Sequence, residues 1–268
     1  RKAPASPAPA ASAAAARAPV PLLWSAGVGL AALAVYLSLA PPVSADRDTA
    51  EFTLVLATLG VAHPTGYPLY TMLGHAFVSL LHALGATWAF GANAWSALGG
   101  ALAMAFLHAF AARLAPPAAR LSRRVRFVIG LLPVALFGLN GSWTAQTCFA
   151  EVYSWHVAWV CGAALCFMWL VRALHARDEE WPAGRLHAHA ACWGFLCGLG
   201  GAHHVTAILV AAPLSLGLLA ALAALKRLRW TMMLAALAGA LVPLASYGYL
   251  YWRALHPAPV QWPLLAPS

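Results

Sequence analysis

The run from Pro21 to Ala40 holds about twenty consecutive residues without one charged side chain. As helix, that length crosses the roughly 30 Å hydrocarbon core of a bilayer, where a segment must satisfy its own backbone hydrogen bonds. Pro41-Pro42 ends the run. Six further spans follow at Asn93–Ala112, Phe127–Leu139, Val152–Val171, Leu186–Ala202, Val205–Leu225 and Trp230–Tyr251. Phe127–Leu139 is short and must borrow flanking residues, and the pair around Gly200-Gly201 reads as a tight hairpin. Composition agrees: 62% of the 268 residues are apolar and 9% charged, against about 25% charged in a soluble domain. The expected fold is an all-α integral-membrane bundle of about seven transmembrane helices.

Three regions divide the chain. Residues 1–20 are Ala/Pro/Ser-rich with Arg1, Lys2 and Arg17, the composition of a disordered tail. Residues 21–251 form the membrane module, and residues 252–268 begin an outer segment. No small-residue cleavage site follows the first apolar run, so it reads as a retained anchor. The five cysteines form no CxxC pair and read as small buried hydrophobes.

The net charge of +9 would suit nucleic acid, but its distribution argues against that partner. With the N-terminus cytoplasmic, the inner segments collect Arg1, Lys2, Arg17, Arg113, Arg120, Arg123, Arg124, Arg126, Arg172, Arg177, Arg185, Lys226, Arg227 and Arg229, leaving Arg47 and Arg253 outside. That is the positive-inside pattern. The same count decides Tyr70–Leu84, which is short for a span and carries His75 and His82. If it crossed, the arginines at 113–126 would move outside, so it reads as an interfacial or re-entrant helix with Phe52–Val61 as companion.

Polar chemistry is therefore concentrated on one face. Asp46, Asp48, Glu51 and Glu151 fall there, with His203, His204 and Arg253 at other helix ends. Asp48 and Glu51 read in two ways. One is an N-cap and its capping-box partner; the other is a pair of working carboxylates, one turn apart, that share a divalent metal or divide acid and base roles. Asp46-x-Asp48 has the form of a metal-binding DxD. In His63-Pro64-Thr65-Gly66-Tyr67-Pro68 the prolines hold their predecessors extended and Gly66 permits a positive φ, a rigid elbow presenting His63 and Tyr67. Glu151 either faces water or lines the cavity beneath this loop. His203 and His204 are adjacent and cannot point the same way, so one of them bonding an anionic ligand is favoured over a metal pair. His108 and His156 read as ordinary buried or interfacial histidines.

These residues carry a family resemblance. Asp48-Thr49-Ala50-Glu51, followed by Leu59-Gly60-Val61-Ala62-His63-Pro64-Thr65-Gly66-Tyr67-Pro68-Leu69-Tyr70, resembles the signature of the domain-of-unknown-function family numbered 2723. Ala150-Glu151-Val152-Tyr153 and Leu199-Gly200-Gly201-Ala202-His203-His204-Val205-Thr206 resemble its second and third motifs. Thr49-Ala50, Thr65 and Ala202 depart from the usual Ser-Gly, Pro and Asn, and the chain stops soon after Pro259-Val260-Gln261-Trp262, as a fragment or shortened member would.

That family is grouped with the GT-C glycosyltransferases, whose animal relatives are protein O-mannosyltransferases. The resemblance implies a GT-C-like membrane enzyme moving a sugar from a polyprenyl-phosphate donor to a protein or lipid hydroxyl, on the outer face of a bacterial inner membrane. Asp48 would be the base, Glu51 and Glu151 would orient acceptor or metal, and Arg253, His203 and His204 would face the lipid phosphate. A transporter or flippase-like carrier, or an inactive membrane scaffold, is the competing expectation.

Overall fold

The computed structural model describes residues 20–45, 47–114, 121–175, 183–260 and 262. The N-terminal tail, Asp46, and the basic residues Arg1, Lys2, Arg17, Arg120 and Arg177 lie outside the described residues.

The described residues form α-helices joined by short turns. In chain order they are α1 (Leu22–Leu39), α2 (Asp48–Thr58), α3 (Pro68–Ala83), α4 (Trp88–Leu114) and α5 (Arg123–Gly138). Then come α6 (Gly141–Cys148), α7 (Tyr153–His175), α8 (Ala183–His203), α9 (Ile208–Ala224, entered through a 3-10 turn at Val205–Ala207), α10 (Trp230–Leu244) and α11 (Gly248–Leu255). Five segments are long and apolar enough to cross a membrane: α1, α4, α7, Val205–Ala224 and Trp230–Leu255. A sixth arises if α5 and α6, bent by 78° at their junction, count as one.

The expected span Leu186–Ala202 differs. It is helical within the 21-residue α8, yet it is not among the segments apolar enough to qualify. His187, His189 and His203 lower its hydropathy. It still runs the length of the bundle antiparallel to α7: Leu186 packs with Leu170 and Leu174 at one end, and His203 reaches Val152 at the other. The turn after it also moves, because α8 continues through Gly200-Gly201 and breaks at His204.

α4 is the mast. Its buried residues lie on every side, from Gly91 to Ala112, and α1, α2, α3, α5, α6 and α7 all pack on it. Uniform burial suits a helix enclosed by other helices. Polar pins fix the connections at its ends. Asn93 Nδ2 donates to the carbonyls of Pro41 (2.9 Å) and Val43 (3.1 Å), holding the segment after α1. At the far end an Arg113 guanidinium nitrogen donates to Val20 O at 2.6 Å. α2 and α3 do not qualify as spans and sit across one end of the bundle, as expected for the 48–84 region.

The bundle has a clear polarity. Arg113, Arg172 and Arg227 meet helix-end carbonyls at the end that carries Val20 and Leu174. The carboxylates of α2 and the loop before α7 lie at the other end. The described members of the inner basic set named here thus share one end, opposite the loop.

Close approach of α8 to α10 depends on glycine. A Cβ on Gly194 would strike Ala236 O, one on Gly198 would strike Ala240 O, and one on Gly239 would strike Ala191 O. The Gly194-xxx-Gly198 spacing is the small-residue pattern by which membrane helices bring their backbones together. We expect Gly194→Leu to cost about 1–3 kcal/mol or more by overpacking, a fall of several degrees in the unfolding midpoint of the purified protein in micelles. Gly162→Ala is the control, since its Cβ would meet Phe106 at an ordinary 3.4 Å and the midpoint should hold.

Candidate functional site

The site is built on the turn from α2 to α3. α2 starts at Asp48 after Arg47, whose φ is 58°, and no side chain caps it. The capping-box reading of Asp48 and Glu51 therefore fails. Asp48 is the first helical residue, and Glu51 turns away from the helix start. Its Oε1 accepts the His63 backbone N–H at 2.5 Å and its Oε2 accepts His63 Nδ1–H at 3.0 Å. With that tautomer assigned, His63 Nε2 is left to accept the Tyr67 hydroxyl at 3.2 Å. A carboxylate thus orients an imidazole, which in turn orients a phenol.

The elbow itself is tight. Gly66 N–H donates to His63 O at 2.8 Å, and Gly66 has φ 84°, a conformation open to glycine without side-chain strain. Tyr67 departs from the expected extended backbone: at φ 43°, ψ 54° it is left-handed and serves as the N-cap position of α3. Its carbonyl accepts Thr71 N–H at 2.9 Å, and Pro68 follows at the first helical position, where its missing N–H costs nothing. The geometry tucks the Tyr67 ring edge-on to Phe52, 5.6 Å between centroids.

Glu151 arrives from the loop between α6 and α7. Ser96 on α4 holds that loop through two 2.9 Å bonds, donating its hydroxyl to Glu151 O and accepting Glu151 N–H. The carboxylate faces α2, where the Thr49 hydroxyl donates to Oε1 at 3.4 Å. Burial, then the charge of Asp48, pushes the Glu151 carboxyl up to about 7, against the Thr49 hydrogen bond and the His63 charge, which pull it down. Tyr67 is likewise pushed up to about 12, first by burial and then by Tyr153 and the three carboxylates Asp48, Glu51 and Glu151. It stays a hydroxyl donor at neutral pH.

The histidines after α8 close the other side and diverge as adjacent residues must. His203 is buried and donates from Nε2 to Val152 O at 3.0 Å, with its ring 6.1 Å from Tyr70. His204 lies at the turn. Thr206 donates its N–H (3.2 Å) and hydroxyl (2.7 Å) to His204 Nδ1, and the His204 ring sits between Tyr67 (5.9 Å) and Tyr153 (6.0 Å). Burial, then the charge of His63, holds the His204 imidazole below its ordinary value.

Asp48, Glu51, His63, Tyr67, Glu151, His203 and His204 therefore converge at one end of the bundle. Arg253 does not join them. Its guanidinium lies over Trp252 at 4.7 Å and bonds Tyr249 and His256, because α11 turns that face toward its own aromatic residues. Arg253 acts through a neighbour: the Tyr249 hydroxyl is shared between Leu59 O (2.7 Å) and Gly60 O (2.6 Å), bracing the elbow. His108 is an ordinary buried histidine bonded to Ser25 and Phe127. His156 is not. Its Nε2 bonds Thr206 at 3.1 Å and its ring lies 5.0 Å from His204. Sequence reading took His156 for an ordinary histidine, quoted Thr49, Tyr153 and Thr206 within motifs without giving them a role, and did not single out Ser96. The spacing of Tyr153 and His156 on one face of α7, directly after Glu151, was the signal available.

Asp48, Glu51 and His63 offer ligand atoms within 4.8 Å of one another, a mixed oxygen and nitrogen set suited to Mn²⁺ or Zn²⁺. Both His63 nitrogens already have partners, so a bound cation would displace Glu51 or Tyr67 from the imidazole. The other expected ligand, Asp46, lies outside the described residues.

Fold and site together define a polytopic helical membrane protein with a carboxylate–histidine cluster at one end. Residues 48–228 match the family described as the protein O-mannosyl-transferase TMEM260 N-terminal domain, and the chain belongs to that family. It is 29% identical over 194 residues to mouse protein O-mannosyl-transferase TMEM260, a match covering 69% of this chain and 25% of that protein. The chain thus aligns with about a quarter of the relative's length. No solved structure matches.

The raised Glu151 carboxyl has a sign that can be measured. Between the ordinary carboxylate range and about 7, the folded chain holds a proton that the unfolded chain has released. Stability from this group is full below that window and falls as pH rises through it. Glu151→Gln removes the titration, so the unfolding midpoint of the variant minus that of wild type should grow from pH 5 to pH 8. A difference that stays constant would refute the buried, proton-holding carboxyl.

Proposed function

We propose that this chain is the catalytic-loop module of a membrane glycosyltransferase of the GT-C type, transferring a sugar from a polyprenyl-phosphate donor to a protein or lipid hydroxyl. The observation that carries the reading is the convergence of Asp48, Glu51, His63, Tyr67 and Glu151 at one end of a membrane bundle, inside the region matched to an O-mannosyl-transferase family. A lipid-linked donor keeps its chain in the bilayer, so a transferase acting on it needs its reactive loop tied to spans.

Asp48 is the exposed member of the Asp48–Glu51–His63 cluster, and no hydrogen bond ties its carboxylate among the described residues. In the proposed step it takes the proton of the acceptor hydroxyl, whose oxygen attacks the anomeric carbon as the bond to the phosphate oxygen breaks. Glu51 is held by His63 and serves to position the imidazole and Tyr67. Glu151 carries a proton near neutral pH and can donate to the acceptor or sugar. His204 is nearest in character to a donor for the departing phosphate, where charge develops. A divalent cation bound at Asp48, Glu51 and His63 would supply the same charge neutralisation.

The basic end of the bundle supports a cytoplasmic N-terminus by the positive-inside rule, with the loop on the opposite face, in a bacterial inner membrane or its equivalent. The test is transfer by membranes carrying this protein, using labelled polyprenyl-phosphate sugar. Asp48→Asn should lower transfer by about 10²–10⁴-fold, the worth of a general base, and Tyr67→Phe should lower it less. Undiminished transfer by Asp48→Asn removes it as the base. No transfer with any donor, alongside substrate movement across vesicles, would favour a carrier.

A further inference from the structure

A groove of about 1060 Å³ runs down the bundle between α4, α7 and α8. Its wall is almost wholly aliphatic and aromatic, including Phe106, Trp155, Trp159, Leu165 and Phe195. At one end it reaches Tyr70 and His203, beneath the candidate site. At the other it reaches Arg113 and Arg172. Trp95 and Arg113 both line it, and eighteen residues of α4 separate them, about 27 Å of helix rise, so the groove is as long as one bilayer core.

Its two ends differ in charge. The site end offers the neutral hydroxyl of Tyr70 and a buried imidazole, with no lysine or arginine in the lining. The far end offers two guanidiniums, and among the described residues neither is paired with a carboxylate. Arg113 spends N–H groups on Ala109 O (2.9 Å) and Val20 O (2.6 Å), and Arg172 spends one on Arg113 O (2.6 Å). A guanidinium has five N–H donors in a fork that matches phosphate oxygens. Donors therefore remain on both side chains, brought together by the bond between α7 and the last turn of α4. A long apolar slot ending in two under-used guanidiniums is complementary to a lipid with an anionic phosphate head. The basic end is also the one that the charge distribution assigns to the leaflet rich in anionic lipid.

We propose that this groove binds an anionic glycerophospholipid, with its acyl chains along the aromatic wall and its phosphate on Arg113 and Arg172. The occupant is distinct from the donor of the proposed reaction, whose phosphate belongs at the opposite end. The bound lipid fills the space between α4 and α8 and joins the ends of α4 and α7.

The test is lipid retention by the full chain in detergent, read by native mass spectrometry against phosphatidylglycerol and phosphatidylcholine of identical acyl chains. Wild type should prefer phosphatidylglycerol. Arg172→Gln, at an exposed position, should reduce that preference about five-fold, and Arg172→Lys should keep most of it. Gly162→Leu, which projects a side chain into the groove, should lower retention of both lipids alike. Equal retention of the two lipids by wild type overturns the proposal, as does an unchanged preference in Arg172→Gln. Displacement of phosphatidylglycerol by a polyprenyl phosphate also overturns it and gives the groove to the donor. Because the readout is binding, absence of transfer would sink the enzymatic reading and leave this one standing.

Discussion

The carboxylate of Glu51 holds the candidate site together. It takes both the backbone N–H and the ring N–H of His63, so one side chain fixes the position and the orientation of the imidazole twelve residues later. That fixes Tyr67, whose hydroxyl meets the other ring nitrogen and whose ring rests on Phe52. Phe52, Tyr67 and Tyr70 then close one apolar cluster with Trp95 and Val152, which seats the loop on α4 and α7. In a half-buried setting such a charge-assisted bond is stronger than its equivalent in water.

The bundle beneath is held by close packing and by a few hydrogen bonds between its helices, as Ser25 makes with His108 and Trp193 with Ser215. Six helices pack on α4, and helices approach closely at glycine, as Gly100 on α4 does to Thr147 and Gly194 on α8 does to Ala236 on α10. Within lipid there is little hydrophobic gain in pressing helices together, so backbone proximity and van der Waals contact have to hold them. Further polar links lie at the helix ends, where Asn93, Ser96 and Arg113 tie loops to the mast. The loops of the candidate site are thus fastened at several points to packed helices.

Much of this arrangement is legible in the residue order. Runs such as Pro21–Ala40 specify membrane helices because no other backbone survives in hydrocarbon, and the clustered arginines specify which helix ends lie together. The carboxylates and histidines stand out because the rest is so apolar. Other features were not legible. Sequence proximity suggested that Glu51 served its own helix, whereas it serves His63 across a turn. Pro68 suggested an extended Tyr67, but helix initiation and packing on Phe52 hold it left-handed. Arg253 resembled a site cation and is occupied by Trp252 and Tyr249. His156 resembled a packing residue and sits against His204, because the turn after α8 falls at His204 and not at Gly200-Gly201.

The sequence by itself determined that this protein is a helical membrane bundle, which end gathers its arginines, and which loop gathers its carboxylates and histidines. Those follow from transfer free energies that depend on residue type and run length alone. Only the tertiary structure decided which polar groups meet. Thr49 with Glu151, Tyr67 with His204 and Arg113 with Arg172 are brought together by helix packing over separations that no local pattern encodes. The same packing buries the Glu151 carboxyl beside Asp48, which raises it, and places Arg113 and Arg172 at one end of the groove.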